Sequence, residues 1–164
     1  MKRLLFFFAA FFLCGSLAGC GSDTHDGLVR DTIDNVKTAT SKVTIVKTEV
    51  DAAIKLAQDG KKLDLAKAID ATKELKDVGE KAQDIRRRIE RVRAQITDEE
   101  RKANFEKHKG ELNTSFTELL KANEELRTAM AAAEKLDQNA KAEVKVLHEK
   151  LVEAQSPFEA LARN

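Results

Sequence analysis

The chain has 164 residues, with 29 Lys and Arg against 28 Asp and Glu and a formal net charge of +1 at pH 7. A balance that close points to no particular partner by net charge, and nothing marks the chain as a nucleic-acid binder. With 7 glycines, 2 cysteines and neither Trp nor Tyr, the composition leaves no phosphate-cradling glycine loop and no disulfide framework, and any core must be aliphatic and narrow.

Met1-Lys2-Arg3 supplies a positive start, and Leu4 to Leu13 follows as an apolar run carrying five of the 8 phenylalanines. This is the layout of a secretory signal peptide. Leu4 to Gly19 is 16 residues long, short of the roughly 20 that a bilayer core requires. Small residues close the run, and Leu17-Ala18-Gly19-Cys20 resembles the lipobox of bacterial lipoproteins at all four positions. The resemblance implies cleavage before Cys20, acylation of its thiol and a palmitate-type anchor carrying more than one chain. One acyl chain holds a protein only marginally on a membrane, and two or more hold it stably. Gly21 follows the cysteine where Asp would favour retention in the inner membrane, so the resemblance implies the outer membrane.

Three regions follow from this reading: a signal peptide over 1–19, a lipidated cysteine and flexible tether over 20–27, and a helical bundle or coiled-coil domain over 28–164. The tether is polar and bracketed by Gly21 and Gly27. Loss of Cys14 with the leader and acylation of Cys20 leave no free thiol, and loss of Lys2 and Arg3 brings the mature charge to −1.

Helical periodicity then runs almost without interruption. Val29, Ile33, Val36, Thr40, Val43, Lys47, Val50, Ile54 and Ala57 alternate spacings of four and three, with Thr40 and Lys47 as flaws in the stripe. The first helix should stop at Asp59-Gly60. The β-branched stretch from Lys42 to Val50 could be a strand, but nothing else in the chain offers it a partner. A second helix is expected from near Leu63 to Ile96, with Leu75, Val78, Ala82, Ile85, Ile89, Val92 and Ile96 on its seam. Thr97-Asp98-Glu99-Glu100 fits a capping box and opens a third. The seam of that helix reads Phe105, Leu112, Phe116, Leu119, Asn123, Leu126, Met130 and Ala133, widened by Leu120, Ala122, Ala129 and Leu136.

Asp137-Gln138-Asn139 puts polar residues where the seam should continue. Two readings stand, a rod from Asp98 to about Gln155 or a reversal into a shorter fourth helix, and the polar break favours reversal. Ser156-Pro157-Phe158-Glu159 carries a cap residue and a proline suited to a first helical position, so a last turn is expected to start there. The whole is an all-α fold: an elongated antiparallel bundle of three long helices plus a shorter C-terminal one.

Chemistry is sparse. The residues three before His25, His108 and His148 are Ser22, Phe105 and Lys145, so no Glu-x-x-His pair for a bundle metal site exists. Asp23, His25 and Asp26 read as tether solvation rather than as ligands, and His108 and His148 as surface residues of charged helix faces. No serine has a base at a telling spacing. We therefore expect no enzyme, no cofactor and no metal.

One cluster stands out: Arg86, Arg87, Arg88, Arg91 and Arg93 lie within eight positions. Arg86, Arg88 and Arg93 should flank the core and pair with glutamates of Glu118 to Glu125, while Arg87 and Arg91 face outward. The alternative is a face for an anionic envelope ligand, because arginine makes bidentate contacts with phosphate and carboxylate. The heptads around Ile33 and from Val43 to Val50 are similar in style to the murein lipoprotein, a trimeric coiled coil joined to peptidoglycan through a C-terminal lysine. This chain ends Ala162-Arg163-Asn164, without that lysine. The expected function is a membrane-anchored, non-catalytic helical module of the bacterial envelope. Its partners would be the membrane, through the lipid, and an envelope protein or anionic polymer, with oligomerisation left open.

Overall fold

In the computed structural model, which describes residues 24–137 and 140–162, four helices follow one another: α1 (His25–Gln58), α2 (Ala66–Arg93), α3 (Asp98–Leu136) and α4 (Lys141–Ala162). No strand occurs among those residues, and the β-branched run lies inside α1. The chain breaks after Leu136, so the third helical segment is two helices and not one rod.

Local chemistry explains the ends. Thr24 Oγ1 accepts the Gly27 N–H at 3.2 Å, and Asp26 places a negative charge in the first turn. The tether expected over 20–27 is therefore too long: His25, Asp26 and Gly27 are helical because Thr24 caps them. At the other end Gly60 adopts φ 82°, a left-handed conformation that ends the helix without Cβ strain. The Lys61 N–H then reaches the Leu56 carbonyl at 3.0 Å. Thr97 Oγ1 accepts the Glu100 N–H at 3.2 Å, which starts α3 where expected.

The second helix starts later than Leu63. Leu63 and Leu65 are buried in an irregular lead-in, where Glu143 of α4 accepts the Leu65 N–H at 3.0 Å and Asp64 accepts that of Ala66 at 2.8 Å. It ends at Arg93 rather than Ile96, the Gln95 N–H closing a tight turn on the Val92 carbonyl at 2.9 Å.

Ser156-Pro157 does not open a new helix; α4 runs through it. Proline deprives the Glu153 carbonyl of its usual N–H partner. The Ser156 hydroxyl donates to that same carbonyl at 3.3 Å. Burial of Pro157 and Phe158 favours continuity over a break.

Helix pairing follows from the register of contacts. Asn35 Nδ2 donates to the Val78 carbonyl at 3.2 Å, and Lys42 pairs with Glu74 and Arg88 with Asp31, so α1 and α2 run antiparallel. Asp26 meets His108 and Lys37 meets Glu111, so α1 and α3 run parallel. Leu65 meets Glu143 and Lys76 meets Glu153, so α2 and α4 also run parallel. Thus α1 packs along α2 and α3, α4 packs along α2, and α3 and α4 barely meet. The molecule is two helical hairpins laid side by side in the same direction.

The buried positions repeat accordingly. Ala39, Val46, Val50 and Ala53 of the first hairpin answer to Leu119, Leu126, Met130 and Ala133 of the second, a shift of 80 residues. Leu65, Ala68, Leu75 and Ala82 answer to Val144, Leu147, Ala154 and Leu161 at a shift of 79. Thr48, Ala52, Ala53, Lys55 and Leu56 recur as Thr128, Ala132, Ala133, Lys135 and Leu136.

This packing changes two expected seams. The stripe on α1 also buries Leu28, Thr32, Asn35, Ala39, Val46 and Ala53, because two helices cover it. On α3 the expected Ala122 and Ala129 are buried and His108 and Ser115 join them, while Phe105, Leu120 and Leu136 are 40, 69 and 45% exposed.

Candidate functional site

Cys20 lies outside the described residues. The described chain begins four positions later, at Thr24, and four residues reach at most about 14 Å. The end of the bundle nearest to Cys20 in the chain is the one where α1 and α3 begin and α2 and α4 finish.

At that end His108, expected on the surface, is 9% exposed. It sits on the face of α3 that meets α1, with Nε2 2.8 Å from Asp26 Oδ1. Lys107 Nζ donates to the same oxygen at 3.0 Å, and the Arg30 guanidinium lies 3.7 Å from Oδ2. The hydrogen bonds from His108 and Lys107 hold the Asp26 carboxyl below its ordinary range. Asp26 is thus a fastener between helices rather than part of a solvated tether. Among the described residues no three His, Cys, Asp or Glu side chains converge as metal ligands would.

Beside this fastener a pocket of about 350 Å³ is lined by side chains of all four helices. Val29, Ile89, Leu112, Phe116 and Leu161 supply its apolar wall, and Phe105 stands half in solvent at its edge. Arg93, Arg101 and Lys102 supply cations, with Arg101 also paired to Asp98. His25 lines the pocket too, and its buried Nδ1 has no hydrogen-bond partner among the described residues. Burial, with the Arg101 charge adding to it, pushes the His25 imidazole below its ordinary value.

The arginine cluster is divided by the fold. Arg88 turns inward, its side chain 17% exposed and its guanidinium 3.5 Å from Asp31 of α1. Arg86 pairs with Glu90 of its own helix at 3.0 Å. The expected glutamates of α3 are not their partners, because α3 packs on α1 and not on α2. Arg86 and Arg87 flank a groove of about 380 Å³ against Ser156 and Pro157 of α4. Arg91 is exposed, and Arg93 belongs to the four-helix pocket. The five arginines therefore lie in four different surroundings.

Sequence reasoning passed over His25, Asp26 and His108 as solvated residues. One signal was available: His108, Ser115, Ala122 and Ala129 recur every seven residues, the register of the face that α1 covers. Among the described residues no helix is long and apolar enough to cross a membrane. Comparison with protein-family models, with curated proteins and with solved structures finds no match.

Proposed function

We propose that this chain is an exported bacterial lipoprotein, anchored through Cys20 to the cell envelope at the outer membrane, whose helical bundle is a non-catalytic structural or interaction module. The observation that carries the reading is the distance between the lipobox and the bundle. Leu17-Ala18-Gly19-Cys20 ends four residues before the cap of α1. An acylated Cys20 then holds the bundle with the start of α1 toward the lipid and the opposite end, where α1 finishes and the 59–65 segment leads into α2, away from it.

Intact mass spectrometry of the protein extracted from membranes tests the anchor. A diacylglyceryl-modified N-terminal Cys20, lost in Cys20→Ala, is expected. A free N-terminus at Ser22, or Met1 retained in the wild type, refutes it. Co-sedimentation of the mature protein with purified peptidoglycan and lipopolysaccharide tests the interaction role.

The second reading, a binding module for an anionic envelope ligand, draws support from the groove that Arg86 and Arg87 share with α4. It predicts that Arg86→Gln with Arg87→Gln weakens such association more steeply at low salt, with little change in stability.

A further inference from the structure

We propose that the four-helix pocket binds a single-chain amphiphile with an anionic head, such as a free fatty acid, its acyl chain among Val29, Leu112, Phe116 and Leu161 and its head among Arg93, Arg101 and Lys102. Three independent features support this. The pocket volume of about 350 Å³ lies at the small end of the roughly 300–1,000 Å³ of ligand sites, which suits one chain rather than two. The wall is aliphatic and aromatic from every helix, while the cations sit together where α2 ends and α3 begins. Among the described residues neither Arg93 nor Lys102 makes an ion pair, so two positive charges border an apolar cleft without a carboxylate to answer them.

His25 adds the third feature. A buried imidazole nitrogen without a partner costs on the order of 1–3 kcal/mol, and this one lies in the pocket wall. A carboxylate or phosphate oxygen of the head would accept its N–H. The groups around His25 are mixed in sign, Arg101 and Arg93 against Glu100 and Asp26, and Asp98 is already tied to Arg101. A bound anion restores the balance that Arg93 and Lys102 leave open.

The reading rests on the described bundle and not on the anchor, although an anchored bundle would bring this end to the source of such molecules. Photolabelling tests it on the full chain in bacterial membranes. Three diazirine probes are compared: a fatty acid, the matching fatty alcohol, and a diacyl phosphatidylglycerol as the bilayer source of an anionic head. The acid is expected to label α3 between Phe105 and Phe116 about tenfold more than the alcohol does, the difference a charge-assisted contact makes. Arg101→Gln with Lys102→Gln should remove that preference. Phe105→Glu, at a side chain already 40% exposed, should lower labelling without unfolding the helix, as circular dichroism would confirm. Leu120→Glu, on the same helix and 69% exposed, should leave it unchanged.

Equal labelling by acid and alcohol overturns the proposal, as does equal loss in the Leu120 variant. Stronger labelling by the diacyl probe overturns it too, since the surface would then meet the bilayer rather than one chain. The N-terminal mass is read in the same spectra, so failure of the pocket and failure of the lipid anchor are seen separately.

Discussion

The two hairpins share a register of buried positions but are held together differently. In the first, α1 and α2 meet along their length and are tied by the Asn35 amide on the Val78 carbonyl and by the Lys42–Glu74 and Arg88–Asp31 pairs. In the second, α3 and α4 barely touch, with the Gln155 amide on Asn123 at 2.6 Å across the gap. The second hairpin is thus assembled on the first, α3 on α1 and α4 on α2. The pocket that all four helices line includes residues of both loosely joined helices, Leu112 and Phe116 of α3 and Leu161 of α4.

The largest effect should come from the contact that seats α4. Gly79 of α2 is buried, and a Cβ there would lie 2.4 Å from the Ala154 carbonyl oxygen, a backbone atom with no freedom to withdraw. Gly79→Val forces the two helices apart, and overpacking of that kind costs about 3 kcal/mol. Urea unfolding should register the loss, and hydrogen exchange should place it in α4 while α1 and α3 keep their protection. Uniform loss across all four helices would mean the hairpins are not separable units.

The helices themselves were legible because a repeat of four and three needs only local pattern, and the capping chemistry is local too: Thr97 caps with its hydroxyl, and Gly60 takes a left-handed φ because it has no Cβ. The pairing was not. Periodicity tells which face of α3 is apolar on average, and it favoured Phe105 and Leu120, large residues that end up exposed. Ala122 and Ala129 were on the expected seam, but close approach to α1 extends the buried face to the small polar residue Ser115, which a search for apolar residues passes over. His108 was hidden for the same reason, since its burial depends on Asp26, 82 positions earlier. Pro157 was misread as a start because proline's local preference is strong, whereas burial against α2 is a property of the whole fold. The resemblance to a lipobox was readable as a pattern of four residues, all of them outside the described chain. The pocket was not, because its wall is drawn from four helices whose neighbours no periodicity specifies.

Within the first hairpin, Asn35→Ala removes the side-chain bond to Val78 from a site 7% exposed. A hydrogen bond of that kind contributes about 1 kcal/mol. The urea midpoint should fall with an unchanged slope. The equivalent position in the second hairpin, Ser115, bonds the Leu112 carbonyl of its own helix at 2.8 Å. Ser115→Ala should therefore cost less than Asn35→Ala, and a reversed order would break the comparison.

Gly110 of α3 sharpens it from the other side. Among the described residues nothing lies within 4 Å of a Cβ built there, and its φ is not positive. Gly110→Ala should stabilise by roughly 0.5–1 kcal/mol, through the entropy of the unfolded chain. The same substitution at Gly79 should destabilise. Calorimetry on both variants reads the signs directly, and a loss of stability in Gly110→Ala would place a neighbour against that face of α3.

The smallest effect is electrostatic and joins the hairpins through Asp26. Its carboxyl is held below its ordinary value of 3.8 by the hydrogen bonds from His108 and Lys107. The folded state therefore binds that proton less readily than the unfolded chain, and the stabilisation is present above 3.8 and lost as pH falls through the lower folded value. His25 is also depressed, from 6.5, by burial first and by Arg101 second. For a base the consequence is that the unfolded chain takes up a proton, between the folded value and 6.5, that the folded chain refuses, so stability rises with pH across that interval. The two limbs separate by mutation. Asp26→Asn should flatten the limb below 3.8 and leave the one approaching 6.5, while His25→Gln should do the reverse. Urea midpoints followed from pH 3 to pH 7.5 at low salt read both. If Asp26→Asn leaves the acid limb untouched, the carboxylate does not fasten α1 to α3, and the parallel contact between those helices rests on apolar packing and the Lys37–Glu111 pair.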